Sequence, residues 1–311
     1  MDLGIVIVSY NTRDLTADCL TSVYCALEAE RIEAMVCVVD NASHDGSAEM
    51  VHERFSRALL VASDENLGFA RGTNVGLERL EALPTPPRYL LLLNPDTIVA
   101  SDAFGHMLRF MDAHREVDVV GAQLAYGDGS FQHGAFHFPT LWMAFLDFWP
   151  LHHRLLDSRL NGRYSRRRYA VGEPFPIDHP LGAALMMRRA ALARVGPLDT
   201  GYFMYCEEID WCMRVKATGG GIYCVPQARV VHLEGQSTRQ FREKMYIALW
   251  RSRFRLFEKH YGPVYRFCVR LITRAGMRRM ARHTREALQA GEIMPEEAER
   301  RLAAFDEIAR M

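Results

Sequence analysis

A carboxylate that ends an apolar strand is placed for ligand chemistry, because the strand is buried while its carboxyl end opens on solvent. In LLLNPDTIV (91–99) an apolar run breaks into Asn94-Pro95-Asp96, and Asp96 is a hard oxygen donor suited to a divalent cation that bridges phosphates. Asn-Pro-Asp is also ordinary turn chemistry, so the tripeptide alone decides nothing. His232 ends another apolar run, VVHLEGQS (230–237). A lone histidine is more often a satisfied core or surface residue, but imidazole beside a carboxylate is an acceptable shell for Mn²⁺ and, less readily, Mg²⁺. In YFMYCEEIDWCMR (202–214), Glu207, Glu208 and Asp210 enter a helix whose far side carries Ile209, Trp211 and Met213. Acids at a helix N-terminus and an Asp210–Arg214 pair at i, i+4 form the bland account, which serves Asp210 well. It serves the glutamates less well: after an aromatic lead-in, desolvation would raise a carboxyl pKa toward the range of a general base.

Three further stretches suit a nucleotide. Asp40 ends VVDNAS (38–43) and could accept a hydrogen bond from a base or ribose, or simply close an Asx turn. ENLGFARGTNVG (65–76) is a Gly-rich turn opening a helix, with Arg71 and Asn74 on its first turns. Backbone amides, a helix dipole and a guanidinium together suit a diphosphate. VSYN (8–11) lacks GxGxxG, which counts against an NAD or FAD protein.

These stretches need a scaffold, and the first 125 residues supply one by alternating strand and helix. Strands are expected at Leu3–Ser9, Met35–Asp40, Ala58–Ala62, Tyr89–Leu93 and Val117–Gln123, with amphipathic helices at about 13–28, 47–55, 69–82 and 102–114. Runs near-continuous in Val, Ile and Leu imply strands covered on both faces, hence a mostly parallel sheet between helices. An aromatic and then Arg-rich stretch over 134–168 reads as a loop or insertion. Beyond it come Phe175–Arg188, a helix at about 207–217, strands near Ile222–Val225 and Arg229–Leu233, and helices from Phe241 with a break at Gly262-Pro263.

Composition bounds the partners. The 311 residues carry no formal net charge, yet residues 241–311 hold 16 Lys+Arg against 9 Asp+Glu. Arg251 to Arg285 contains 11 basic residues and one acid, Glu258, so this part expects an anionic surface. The segment from Tyr265 to Arg285 sets Phe267, Leu271, Ile272 and Ala275 against arginines, as an interfacial helix or as a solvated helix packed on the domain. Nucleic acid is the poorer partner, because the first 240 residues are net acidic and no nucleic-acid-binding module is present. Seven irregularly spaced cysteines read as free thiols in a reducing compartment. With no signal peptide and no apolar run of about 18 residues, a cytoplasmic protein is expected, touching the inner face of the plasma membrane at most.

In this order, IVIVSYN, VVDNASHDGS, NLGFARGTN, LLLNPD, PLGAALMMRR, GPLDTGYFMYCEEIDWCMR and VVHLEG resemble family 2 glycosyltransferases, within the rhamnosyltransferase-like branch of bacterial cell-surface polysaccharide enzymes. The resemblance covers about residues 3–260. It implies a GT-A fold, a Rossmann-like α/β sheet flanked by helices, over 1–240: a nucleotide-binding half (1–125), an acceptor half (126–240) and a basic helical extension (241–311). It implies an inverting, metal-dependent transfer from a nucleoside-diphosphate sugar, dTDP-rhamnose before a UDP-sugar, to a glycan or lipid-linked acceptor. Tyr10, Asn11, Asp40, Arg71, Asn74 and Asn94 would line the nucleotide pocket. Asp96 matches the last acid of the family's DxD motif, with Asn94 in place of the first, and His232 the second metal ligand for Mg²⁺ or Mn²⁺. Glu208, with Glu207 as fallback, matches the catalytic base, while Gly182, Ala183, Asp210 and Trp211 fall on the acceptor side. The rival is a non-catalytic sugar-nucleotide-binding protein of the same fold.

Overall fold

The computed structural model describes residues 1–233 and 242–311; Glu234-Gly235 of the VVHLEG stretch and Phe241 lie outside the described residues. In chain order the elements begin β1 (Leu3–Ser9), α1 (Arg13–Ala29), β2 (Ala34–Asp40), α2 (Ser47–Arg54), β3 (Leu59–Ala62), α3 (Gly68–Glu81), β4 (Tyr89–Leu93), β5 (Thr97–Val99), α4 (Ala103–Ala113) and β6 (Val117–Ala125). They continue β7 (Phe131–Gln132), β8 (Ala135–Phe136), α5 (Leu141–Leu146), α6 (His153–Leu156), α7 (Arg166–Val171), β9 (Phe175–Pro176), β10 (His179–Pro180) and β11 (Ala184–Arg188). The last are α8 (Arg189–Val195), α9 (Glu207–Ala217), β12 (Gly221–His232), α10 (Arg242–His260), α11 (Pro263–Gln289) and α12 (Pro295–Arg310).

The chain packs as two compact units. The first holds the strands with α1–α4 and α7–α9; the second holds α5, α6 and α10–α12, together with residues 204–206. In the first unit the main sheet runs β3-β2-β1-β4-β11-β6-β12-β5 among the described residues. β1 pairs in parallel with both β2 and β4, while β11 runs antiparallel between β4 and β6. Every residue of β1 and β4 is buried, because helices cover both faces of the sheet, as their unbroken apolar runs require. The stretches expected as separate strands at 222–225 and 229–233 are one strand, β12, whose register with β6 shifts between Val225 and Arg229. β5 is too short to show in the sequence; pairing with the end of β12 defines it.

The second unit has its own aromatic core. Phe148, Trp250, Phe254 and Phe257 pack there with Met277 and Phe305, and Phe148 stacks on Trp250 at 5.3 Å between ring centroids. Residues 138–163 belong to this unit and include α5 and α6, where the sequence pattern suggests a loop. Among the described residues the seven cysteines form no disulfide; Cys19, Cys37, Cys206, Cys212 and Cys224 are buried, whereas Cys25 is exposed. Among the described residues no helix is long and apolar enough to cross a membrane.

Candidate active site

The site is built where strands of the first unit end. Register aligns Ser9 of β1 with Asp40 of β2, and Ile7 with Leu93 of β4, so these three strands finish along one edge. β1 lies between β2 and β4, the point where strand order reverses and a doubly wound sheet opens a crevice. Antiparallel β11 starts at the same edge: Asn94 N donates to Ala183 O at 3.0 Å, which brings Gly182 and Ala183 beside the end of β4.

Asp96 and His232 meet through the β5–β12 pair. His232 stands opposite Thr97, and Leu233 N donates to Asp96 O at 2.9 Å. That register leaves His232 Nε2 3.4 Å from Asp96 Oδ1, with both side chains nearly buried. Among the described residues Asp96 Oδ1 and His232 Nδ1 lack a hydrogen-bond partner, whereas most buried polar atoms of folded proteins have one. A carboxylate oxygen and an imidazole nitrogen facing each other fit a divalent cation. Among the described residues no group of three or more His, Cys, Asp or Glu is arranged for a metal, so the protein itself would offer this pair. Thr97 Oγ1 donates to Asn94 O at 2.7 Å and Cys19 Sγ to the same carbonyl at 3.6 Å, which fixes the turn from beneath. Burial pushes the Cys19 thiol up to about 12, so it stays a proton donor there.

Glu207 and Glu208 open α9 and are both buried. Tyr205 and Cys206, just before them, take left-handed φ values of 71° and 67°, a strained entry to the helix. Burial raises the Glu208 carboxyl to about 7 against the pull of helix N-terminal amides, and raises Glu207 well above its ordinary value, with Glu208's charge adding to it. Glu207 Oε2 and Glu208 Oε2 have no hydrogen-bond partner. A Cβ placed on Gly182 would lie 3.7 Å from the Glu208 carboxyl carbon, so this glycine borders the acid directly.

The remaining expected residues divide in two. Asp40 closes the turn after β2, its Oδ2 accepting from Ser43 N at 3.0 Å, while its buried Oδ1 has no hydrogen-bond partner among the described residues. Asn11, at φ 51°, accepts from His44 N at 2.8 Å through Oδ1 and so ties two loops of the rim. Tyr10 and Asn94 are half-buried, and Arg71 is exposed, 3.0 Å from Glu65. Asn74, Asp210 and Trp211 do not belong with them. Asn74 is buried, donates to Leu198 O at 2.8 Å and accepts from Leu198 N at 3.0 Å, so both ends of its amide hold backbone. Asp210 is fully buried and receives Arg214 Nε at 2.9 Å, while that guanidinium also donates to Val195 O and Pro197 O. Trp211 is fully buried and spends its indole N–H on Gly196 O at 2.8 Å. These three pin segment 195–198 to α3 and α9, and none is available to an acceptor or nucleotide.

Asn41 is a structural residue that the sequence pattern does not single out. It accepts from Leu67 N and donates to Gly68 O, each at 3.1 Å, and so positions the Gly-rich turn. Gly68, at φ 74°, leaves room for the Phe203 carbonyl, which accepts from Phe69 N at 2.7 Å. The signal was the Asn after a strand-ending Asp; its partners, 26 and 27 residues on, carry no local mark.

The chain is similar to known glycosyltransferases in sequence and in fold. Residues 4–196 match the family model Glycosyl transferase family 2. A curated relative, N-acetylglucosaminyl-diphospho-decaprenol L-rhamnosyltransferase of Mycobacterium tuberculosis (strain CDC 1551 / Oshkosh), is 26% identical over 247 residues, 76% of this chain and 77% of its own. Rhamnosyltransferase WbbL of Escherichia coli (strain K12) is 25% identical over 195 residues, 60% of this chain and 69% of its own. Among solved structures, mannosyltransferase PcManGT from Pyrobaculum calidifontis, in complex with GDP-Man and Mn²⁺, superposes with a TM-score of 0.58 at 17% identity, covering 99% of this chain and 86% of that one. GalNAc-T7 with UDP, GalNAc and Mn²⁺ gives 0.55 at 16% identity, covering 83% of this chain; the match spans 48% of that longer protein. The mostly parallel sheet with flanking helices is therefore the GT-A fold.

Proposed function

The chain belongs to glycosyl transferase family 2 and is a glycosyltransferase with rhamnosyltransferases among its relatives; from that premise we propose that it transfers rhamnose from a nucleoside diphosphate, dTDP-rhamnose first, to a lipid-linked glycan acceptor with inversion. The observation that carries the reading is a set of buried polar atoms on one strand-end rim that have no hydrogen-bond partner among the described residues: Asp40 Oδ1, Asp96 Oδ1, Glu207 Oε2, Glu208 Oε2 and His232 Nδ1. Asp96 and His232 hold a divalent cation, Mn²⁺ or Mg²⁺, which when bound supplies positive charge to the departing diphosphate. Asp40, with Tyr10 and Asn94, faces the nucleoside, and Arg71 leaves its exposed pair with Glu65 to meet phosphate. Glu208 takes the proton of the acceptor hydroxyl as its oxygen bonds to the anomeric carbon; the bond from that carbon to the diphosphate breaks, and the nucleoside diphosphate leaves with the electron pair. Gly182 gives the acceptor hydroxyl close approach to Glu208, since no side chain stands there. A relative named for a diphospho-decaprenol substrate supports a lipid-linked acceptor, met at the inner face of the membrane.

The test is thermal shift with dTDP-rhamnose, UDP-sugars and GDP-mannose, each with and without Mn²⁺ or Mg²⁺. Metal-dependent stabilisation by dTDP-rhamnose is expected; at a hundred times Kd the linkage is about 2.7 kcal/mol. Stabilisation by another donor reassigns the sugar. Donor binding without transfer to any acceptor, in the intact enzyme, moves the protein to the non-catalytic rival.

A further inference from the structure

Over the segment 265–285, α11 has one packed face and one open face. On one face Val269, Thr273, Gly276, Met277 and Thr284 are buried. Gly276 packs on Phe148, and Arg279 Nη1 donates to Phe148 O at 2.8 Å. Ile272 packs toward this core, not outward as its composition suggests. The other face is open. Val264 is 75% exposed, Phe267 64% and Leu271 50%. At 100° per residue, Val264, Phe267, Leu271, Arg274, Ala275, Arg278, Arg282 and Arg285 fall within an arc of about 100°.

That face is segregated along its length. Apolar side chains occupy its first half and exposed arginines its second, over roughly 32 Å of helix. Arg278, Arg282 and Arg285 have no acidic partner among the described residues, whereas Arg270 on the flank is paired to Glu258 at 2.8 Å. Single exposed apolar residues are ordinary in soluble proteins. A continuous stripe that runs into uncompensated arginines is not, and its charge selects the occupant.

We propose that this face of α11 docks on an anionic lipid bilayer, with Val264, Phe267 and Leu271 entering the headgroup–acyl boundary and Arg278, Arg282 and Arg285 meeting lipid phosphates. It deepens the lipid-linked acceptor reading by naming the surface that meets the membrane. The experiment needs neither donor nor acceptor, so its failure and the failure of that reading are distinguishable. The intact chain is sedimented with vesicles of phosphatidylcholine, alone or mixed with phosphatidylglycerol, across a salt series. Binding is expected only to the anionic vesicles and should weaken as salt rises. R278Q/R282Q should lower the partition coefficient about thirty-fold and F267S/L271S at least tenfold. Because all four side chains lie outside the core, melting temperature and turnover on a water-soluble acceptor analogue should stay as in the parent. Absence of binding, equal binding to both vesicle types, or binding that both variants leave unchanged would overturn the proposal. A dimer in solution that F267S/L271S dissociates would also overturn it, assigning the face to a second copy.

Discussion

Two neighbouring regions of the first unit use the same residue types to opposite ends. Behind the rim, Asn74, Asp210 and Trp211 are buried polar groups engaged by backbone or by Arg214. On the rim, Asp40, Asp96, Glu207, Glu208 and His232 are buried polar groups that each keep an atom unpartnered. Burial therefore does not separate these two groups of residues; hydrogen-bond partnering does. A satisfied buried group stabilises its surroundings, whereas an unsatisfied one costs free energy that a ligand can return.

Asp96→Ala tests this contrast hardest. Turnover should be lost, with metal-dependent donor binding lost too, while the protein keeps its melting temperature or gains slightly. An Asp96→Ala protein that unfolds, as a scaffold variant would, erases the distinction. Glu208→Gln comes next: kcat should fall by about 10²–10⁴-fold while donor affinity stays near the parent's, read by turnover beside donor titration. Near-normal turnover would move the base to Glu207.

Acidity gives a third test, of intermediate size. With Glu208 raised to about 7, kcat/KM should rise about tenfold per pH unit below that value and level off above it. Stability should run the other way. A carboxyl whose folded pKa exceeds its unfolded value holds its proton more tightly when folded, so its contribution is whole below about 4.5 and is lost as pH rises through about 7. Glu208→Gln should therefore raise Tm more at pH 8 than at pH 5, by about 3 °C at the higher pH. A Tm difference independent of pH would show that burial is not what perturbs this acid.

On the scaffold side, Asn74→Ala should cost about 2 kcal/mol in urea unfolding, because it strands both polar groups of Leu198, with donor affinity of the folded fraction preserved. Loss of donor affinity without loss of stability would return Asn74 to the pocket. Arg71→Ala should be the smallest in stability, below about 1 kcal/mol, since its pair with Glu65 is exposed, yet it should raise KM for the donor.

The alternation of strand and helix through residue 125 was legible because apolar runs and amphipathic periods are local properties. The structure places β1, β2, β4 and α9 within a residue of their expected bounds. Asp96 and Glu208 stand out in the sequence for a related reason: each stands where a local pattern ends abruptly, and the ordered motifs around them carry the family resemblance. The role of Asn74 was not legible. Its position on the first turns of a Gly-led helix suits a phosphate ligand, and only the arrival of Leu198, 124 residues later, shows that its amide is occupied. Asp210 and Trp211 share that history: they sit near Glu208 in the chain, yet Arg214 engages the one and the Gly196 carbonyl the other.

By itself, then, the sequence determined the order of the main strands and helices through residue 125 and the resemblance to family 2 glycosyltransferases, because composition and spacing act over one strand or one helical turn. Only the tertiary structure decided which candidates have free valence. It brought His232 of β12 to 3.4 Å from Asp96 through β5, left Gly182 beside Glu208, and turned Phe267 and Leu271 outward while Ile272 faced the core. The physical reason is that hydrogen-bond satisfaction and exposure belong to pairs of surfaces, and those pairs exist only once distant segments have packed.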